Sequence, residues 1–229
     1  MSATALPPSG DRPAGPKTCD ASGMAEIHRL FRAGFGEGPT LVHGVRAGDT
    51  AHAAVVATQL EMLSVSLHAH HEGEDERLWG PLVERAPSCA PHVERMKQHH
   101  AALLVQLTAM DDALPAWRAT ASEPAAGQVV AAIDGVNAAL AIHLPDEEAN
   151  IVPIMEHTIT EDEVEWFAAH GRKSTPKGQT WNSLGAILSA QPDGGDAWQR
   201  AHLPAPVRLL WKWIGKPRYA RTRAALEGR

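Results

Sequence analysis

Aromatic rings are scarce in this chain: one tyrosine, three phenylalanines and seven tryptophans among 229 residues. Cysteine is scarcer still. Cys19 and Cys89 lie in proline-rich surroundings at no recognisable ligand spacing. That excludes a disulfide framework and a thiolate metal site, and leaves a chance pair of reduced thiols as the reading. No excess of positive charge exists either, since the net charge is −6, which argues against bulk nucleic-acid binding. No apolar run reaches the ~18 residues of a membrane-spanning helix, and the N-terminus lacks a hydrophobic signal core. The expectation is a soluble, cytoplasmic protein without stable membrane insertion. Its length suits one domain with appendages and a substantial core.

Histidine, by contrast, is abundant, with thirteen residues, and this favours metal or proton chemistry. The stretch His68 to Trp79, HAHHEGEDERLW, crowds histidines and carboxylates together, and a partial echo, HLPDEE, returns at His143 to Glu148. Both contain His-x-x-x-Glu: His70 with Glu74, and His143 with Glu147. Residues four apart stack on one face of a helix, so each pair can offer an imidazole nitrogen and a carboxylate oxygen to one point. Such a donor set suits a transition metal of intermediate hardness.

Spacing alone is weak, because His68/Glu72 and His157/Glu161 share it. The apolar stripe separates the cases. At about 100° per residue, Val56, Leu60, Leu63, Leu67 and Leu78 form one arc with Glu74 in its middle, flanked by His70 and His71. Ile133, Val136, Leu140, Leu144, Ile151 and Ile154 form another, with Glu147 near its centre and His143 at its edge. A carboxylate aimed into a core is costly unless it is paired or bound to metal.

Taken in order, residues 1–20 carry Pro7, Pro8, Pro13 and Pro16 and read as a disordered leader. A first helix is expected from about Ser22 to Phe35, ended by Gly36, Gly38 and Pro39, with His28 near the middle of its inner face. Asp49 or Thr50 caps a second helix that reaches HHEGED before Gly80-Pro81 disturbs it. His43 and His52 fall outside its stripe and read as solvated. Pro87 and Pro91 bracket a loop before a third helix, about His92 to Leu114, with His100 inward and His99 at the rim. A loop from Pro115 to Gly127 precedes a fourth helix, about Gln128 to His157, kinked at Pro145 and irregular at Pro153.

Four amphipathic helices, each delivering a candidate ligand to its apolar face, read as an all-α, up-down-up-down four-helix bundle over 21–158. A helical extension occupies 159–229. It opens with the capping box Thr160-x-x-Glu163, continues through a connector at 171–180 and a weak helix at 181–190, and ends in a basic tail. From 206 to 229 there are seven Lys/Arg against one acid, Glu227. The tail reads as a helix docked on the bundle with its basic residues outward. A membrane surface or a protein partner is the other reading.

With these residues in place, the chain resembles a hemerythrin-like (HHE cation-binding) protein over roughly 22–157. The resemblance rests on His28, HHEGED at 70–75, His100 in an MKQHH context, and HLPDEE at 143–148. The tail, with LPAPVRLLW and Gly215-x-x-x-Tyr219, is similar to the extension of actinobacterial members. The resemblance implies two non-haem irons bridged by carboxylates and an oxo or hydroxo group. Its ligands would be His28, His70, Glu74, His100, His143 and Glu147, with Glu74 and Glu147 bridging and His71 as a seventh ligand or a substitute for His70. Oxygen-carrying members place two histidines four apart on the third helix, whereas the residue four before His100 is Met96. Fewer histidines leave more open coordination, which suits activation or sensing better than storage of dioxygen.

The leading expectation is therefore a di-iron protein that reacts with dioxygen, peroxide or nitric oxide in sensing or detoxification, with catalase-like peroxide disproportionation as its candidate reaction. The alternative is a non-catalytic oxygen or iron sensor signalling to a partner through its tail. A ferritin-like site needs Glu-x-x-His, and none of the thirteen histidines has a glutamate three residues before it. A bundle holding only structural zinc also fits the donor types.

Overall fold

The computed structural model describes residues 15–229. Most of the expected leader lies outside them, but its last residues are ordered. Thr18 donates from its backbone N to the Glu156 carbonyl (2.7 Å) and from its hydroxyl to the Ile159 carbonyl (2.7 Å), and Cys19 is buried. The packed part of the chain therefore includes Thr18 and Cys19.

Helix α1 spans Ser22–Gly44 and does not stop at Phe35. Of the two glycines that suggested a break, Gly36 faces open space, while Gly38, like Gly34, serves packing. A Cβ at Gly34 would lie 2.6 Å from Leu63 Cδ2, and one at Gly38 would lie 3.2 Å from Ile133, so the missing side chains let α1 approach its neighbours. Pro39 lacks the N–H that would bond the Phe35 carbonyl. Asn137 replaces it, donating from Nδ2 to that oxygen at 3.0 Å.

Helix α2, Thr50–Arg77, is capped by Asp49, whose carboxylate accepts from His52 N at 3.0 Å. Pro81 has no N–H for the Arg77 carbonyl, and the helix breaks at Leu78 before α3, Trp79–Arg85. A 3₁₀ turn at Pro87–Cys89 leads into α4, Ala90–Thr120. The expected end at Leu114 is overridden. Pro115 faces solvent, where water can serve the carbonyl it leaves unbonded, while the buried stripe continues through Met110 and Leu114 to Trp117, only 1% exposed. Burying such a ring contributes roughly 2–3 kcal/mol. Only Ala121 and Ser122 separate α4 from α5, Glu123–Asn150, with Ala121 left-handed at φ 44°. The long loop expected here is a two-residue turn. Pro145 sits exposed inside α5, and the irregularity expected at Pro153 is a break at Ile151 before α6, Val152–Thr158.

Around the bundle α1 packs on α2, α2 on α4, α4 on α5 and α5 on α1. This closed ring in chain order is the up-down-up-down four-helix bundle. By length and apolar composition, α5 with α6 could cross a membrane. Here it is a wall of the bundle.

The core is layered. One apolar cluster includes Leu30, Phe31, Leu67, Leu103, Leu140 and Leu144, and a second includes Ala21, Leu78, Met96 and Ile151. On every bundle helix the change from one cluster to the other falls at a candidate ligand: His28, the 70–74 turn, His100, and the 143–147 turn. A polar layer thus separates two dry ones.

The extension wraps the outside. Helix α7, Glu161–Ser174, opens with the Thr160/Glu163 capping box and lies on α2. Helices α8 (Thr180–Ser189), α9 (Asp196–His202) and α10 (Ala205–Leu210) follow, then a π-helical turn, Trp211–Gly215, and α11, Lys216–Leu226. The docked reading holds for α11. Arg223 grips Glu37 with two bonds (2.7 and 2.9 Å), and Leu226 is buried. His43 is exposed, but His52 is not simply solvated: its Nε2 lies 2.9 Å from the Leu226 carbonyl.

The Asn137–Pro39 arrangement predicts a thermodynamic coupling. Asn137→Ala strands the Phe35 carbonyl and should cost about 1–2 kcal/mol in urea unfolding. In a Pro39→Ala background the restored N–H serves that oxygen, and the cost should fall below about 0.5 kcal/mol.

Candidate metal centre

Seven side chains converge between the two apolar layers. His71, Glu74, His100 and His143 form one group, and His28, His70 and Glu147 another, with donor atoms in each group within 4.8 Å of one another. Every bundle helix contributes. All six residues singled out from the sequence are here, and the choice left open between His70 and His71 resolves into both. His99 stands at the rim, its ring centroid 5.9 Å from that of His143. The other histidines with an acid four residues on do not join: His68 pairs with Asp111 at 3.3 Å, and His157 lies beside the Pro16 carbonyl.

The carboxylates sit between the groups. Glu74 turns Oε1 toward His70 Nε2 (3.2 Å) and Oε2 toward His100 Nε2 (3.4 Å). Glu147 Oε2 lies 3.3 Å from His28 Nε2 and 3.6 Å from His143 Nε2. Each acid therefore faces one imidazole from either group. These approaches are close without being aligned. Both oxygens of both glutamates, both ring nitrogens of His143, and the Nε2 atoms of His71 and His100 have no hydrogen-bond partner among the described residues. Stranding so many buried polar atoms would be costly in a structural core. Lone pairs aimed at a common point are what a cation requires, and the donor set of imidazole and carboxylate fits one.

A second ring of acids orients two of the histidines. His28 Nδ1 lies 2.8 Å from Glu148 Oε1, which also accepts from Arg32 at 2.8 Å. His100 Nδ1 lies 3.0 Å from Asp75 Oδ1, which also accepts from Trp79 Nε1 at 2.7 Å. Each orienting acid directly follows a central one: Glu74-Asp75 and Glu147-Glu148. That doubled acid, present in both motifs, is the sequence signal for the orienting pair.

Protonation follows from these contacts. Burial works to lower His28 and His100, but the facing carboxylates, Glu147 and Glu148 in one case and Asp75 and Glu74 in the other, outweigh it and push both up to about 9. His143 is lowered to about 4, and His70 and His71 well below the usual range, first by burial and then by neighbouring histidines. Burial and the charge of Glu147 push Glu74 up to about 8. Burial would also raise Glu147, but the close His28 imidazole and its charge hold it at about 2.

The hemerythrin HHE cation-binding domain model matches residues 21–164. The chain belongs to the hemerythrin HHE cation-binding family. No curated protein and no solved structure matches it. The cluster just described is the candidate cation site of that domain. Two clefts under the extension, about 600 and 240 Å³, are lined by residues such as Asn182 and Arg218 or Tyr219 and Arg223, and share none with the cluster.

Two outcomes follow. At pH 7, His28, His100 and Glu74 each hold a proton that a cation must displace, so loading should release roughly three protons per chain. Affinity should therefore rise as pH rises from 7 toward 9, and weaken as it falls; calorimetry in buffers of different ionisation enthalpy measures the release. Asp75→Ala and Glu148→Ala should each weaken cation affinity by about 10- to 100-fold with the helical circular dichroism unchanged.

Proposed function

We propose that the cluster holds two iron ions and that the protein reacts through them with dioxygen, peroxide or nitric oxide, in sensing or detoxification. The observation that carries this reading is the placement of both buried carboxylates between two histidine groups. Two acids, each facing both groups, suit a pair of ions with shared ligands.

In this reading His71, His100 and His143 hold one ion and His28 and His70 the other, while Glu74 and Glu147 span them. Five imidazoles and two bridging carboxylates give nine donor bonds against roughly twelve for two octahedral ions. The remainder is open to a small exogenous molecule. Met96 supports this opening: it lies one turn before His100, is fully buried, and brings a thioether to a position where an imidazole would have closed the site. Bound iron would supply the electrons for reducing a small oxidant. The protein's part is to hold the imidazoles, to keep two apolar layers against the site, and to hold protons at the His28–Glu148 and His100–Asp75 contacts, with Arg32 fixing Glu148.

A second reading, a sensor that reports cation occupancy, draws on α7. Gly73 lies inside the ligand-bearing turn of α2, and a Cβ there would stand 3.5–3.6 Å from Phe167, His170 and Trp166. The extension thus touches the turn that carries His70, His71 and Glu74.

Anaerobically purified protein is expected to bind close to two irons per chain, and Glu74→Ala and Glu147→Ala to lose both. Loaded protein should then consume peroxide faster than the same concentration of free iron. Zinc in place of iron under iron-loading conditions would point to a structural bundle. Two irons without peroxide turnover would leave the sensor.

A further inference from the structure

Half of the large exposed apolar side chains among the described residues fall in one six-residue stretch. Leu209, Leu210, Trp213 and Ile214 are 59, 49, 71 and 41% exposed, against Val65, Leu104, Val105 and Ile142 elsewhere. Their spacing, two adjacent pairs four residues apart, puts them on one side of the α10–π-turn segment. The opposite side is fixed to the protein. Trp211 is buried, and Gly215 lies so close to the Trp211 and Trp181 rings that a Cβ would meet them at 2.4 and 2.5 Å. The π-helical turn precedes Pro217, which cannot donate to the Trp213 carbonyl; Lys216 N instead bonds the Trp211 carbonyl. The segment is therefore held in a defined orientation with its apolar side outward.

Charge says what covers it. Residues 204–229 hold seven Lys/Arg and one acid, a net +6, so residues 1–203 carry −12 of the chain's −6 total. The tail's ion pairs among the described residues use only Arg223 and Arg229. Lys212 and Lys216, both exposed, stand four residues apart beside the apolar side, and Lys212 Nζ folds 5.3 Å above the Trp213 ring. Basic stems beside an exposed tryptophan and leucines form the pattern of a helix lying in a bilayer interface, where the ring sits at the headgroups and the ammonium groups reach the phosphates. The rest of the chain is net acidic, so the tail is the part matched in charge to an anionic surface.

We propose that the α10–π-turn segment is a peripheral docking surface for an anionic phospholipid bilayer, bound through Leu209, Leu210, Trp213 and Ile214 and steered by Lys212 and Lys216. This site is independent of the cation centre and its contents.

The test is co-sedimentation of the full chain with vesicles of phosphatidylcholine alone or with about 30% phosphatidylglycerol. Binding to the anionic vesicles is expected, at least about tenfold weaker on the neutral ones and in about 0.5 M salt. Leu209→Ser/Trp213→Ser should abolish it. Lys212→Glu/Lys216→Glu, which changes only exposed side chains and leaves packing intact, should reduce it at least about tenfold, with circular dichroism and metal content unchanged in both. No sedimentation with anionic vesicles would overturn the proposal, as would wild-type binding by either variant. A concentration-dependent dimer lost in Leu209→Ser/Trp213→Ser, without vesicle binding, would overturn it in favour of a second copy of this chain. Binding only to an acidic protein would overturn it in favour of a protein partner.

Discussion

Two carboxylates enclosed by apolar side chains, Glu74 and Glu147, set the terms for the rest of this structure. An ionised acid in such a place costs several kcal/mol unless opposite charge or aligned hydrogen bonds offset it. The protein solves the problem unequally. His28 keeps Glu147 ionised, and Glu74, lacking enough positive charge, retains its proton. The histidines divide in the same way: the two backed by Glu148 and Asp75 hold protons, and the three without such backing stay neutral. A polar layer with alternating protonation is a poor way to stabilise a bundle and a good way to receive a cation. The two dry layers on either side are what the fold uses for stability.

The sequence made this layer readable because helical geometry converts spacing into direction. Glu74 lies in the centre of the arc drawn by Leu60, Leu67 and Leu78, and Glu147 in that of Leu140, Leu144 and Ile151, so their burial followed from period alone. His28 and His100 followed in the same way. The choice between His70 and His71 did not, since both flank Glu74 at similar angles; only the second ion-sized group in three dimensions uses both. Asp75 and Glu148 were overlooked because an acid next to a ligand looks like a solvated residue until its partner on another helix is known.

Helix ends were read less well, and for one recurring reason. Pro39 and Pro115 each suggested a break from local chemistry. Tertiary contacts prevailed: Asn137 supplies the bond that Pro39 cannot, and the burial of Trp117 carries α4 past Pro115. Where no such contact intervenes, as at Pro81 and Pro153, the helix does break. The extension was legible at its capping box, whose geometry is local, and illegible at α10 and the π-turn, whose orientation depends on Trp181 from a distant helix.

The layered core also bears on how the bundle is tied together. The chain's cysteines, Cys19 and Cys89, are both free, so no covalent link joins one helix to another. The converging donors come from positions 28, 70–74, 100 and 143–147, one set per helix. A cation held by them would close loops of roughly 30 to 70 residues at once, restricting the unfolded chain much as several disulfides would. Unlike a disulfide, that tie can be undone by acid or by a chelator. Its release would loosen the whole ring of helices together.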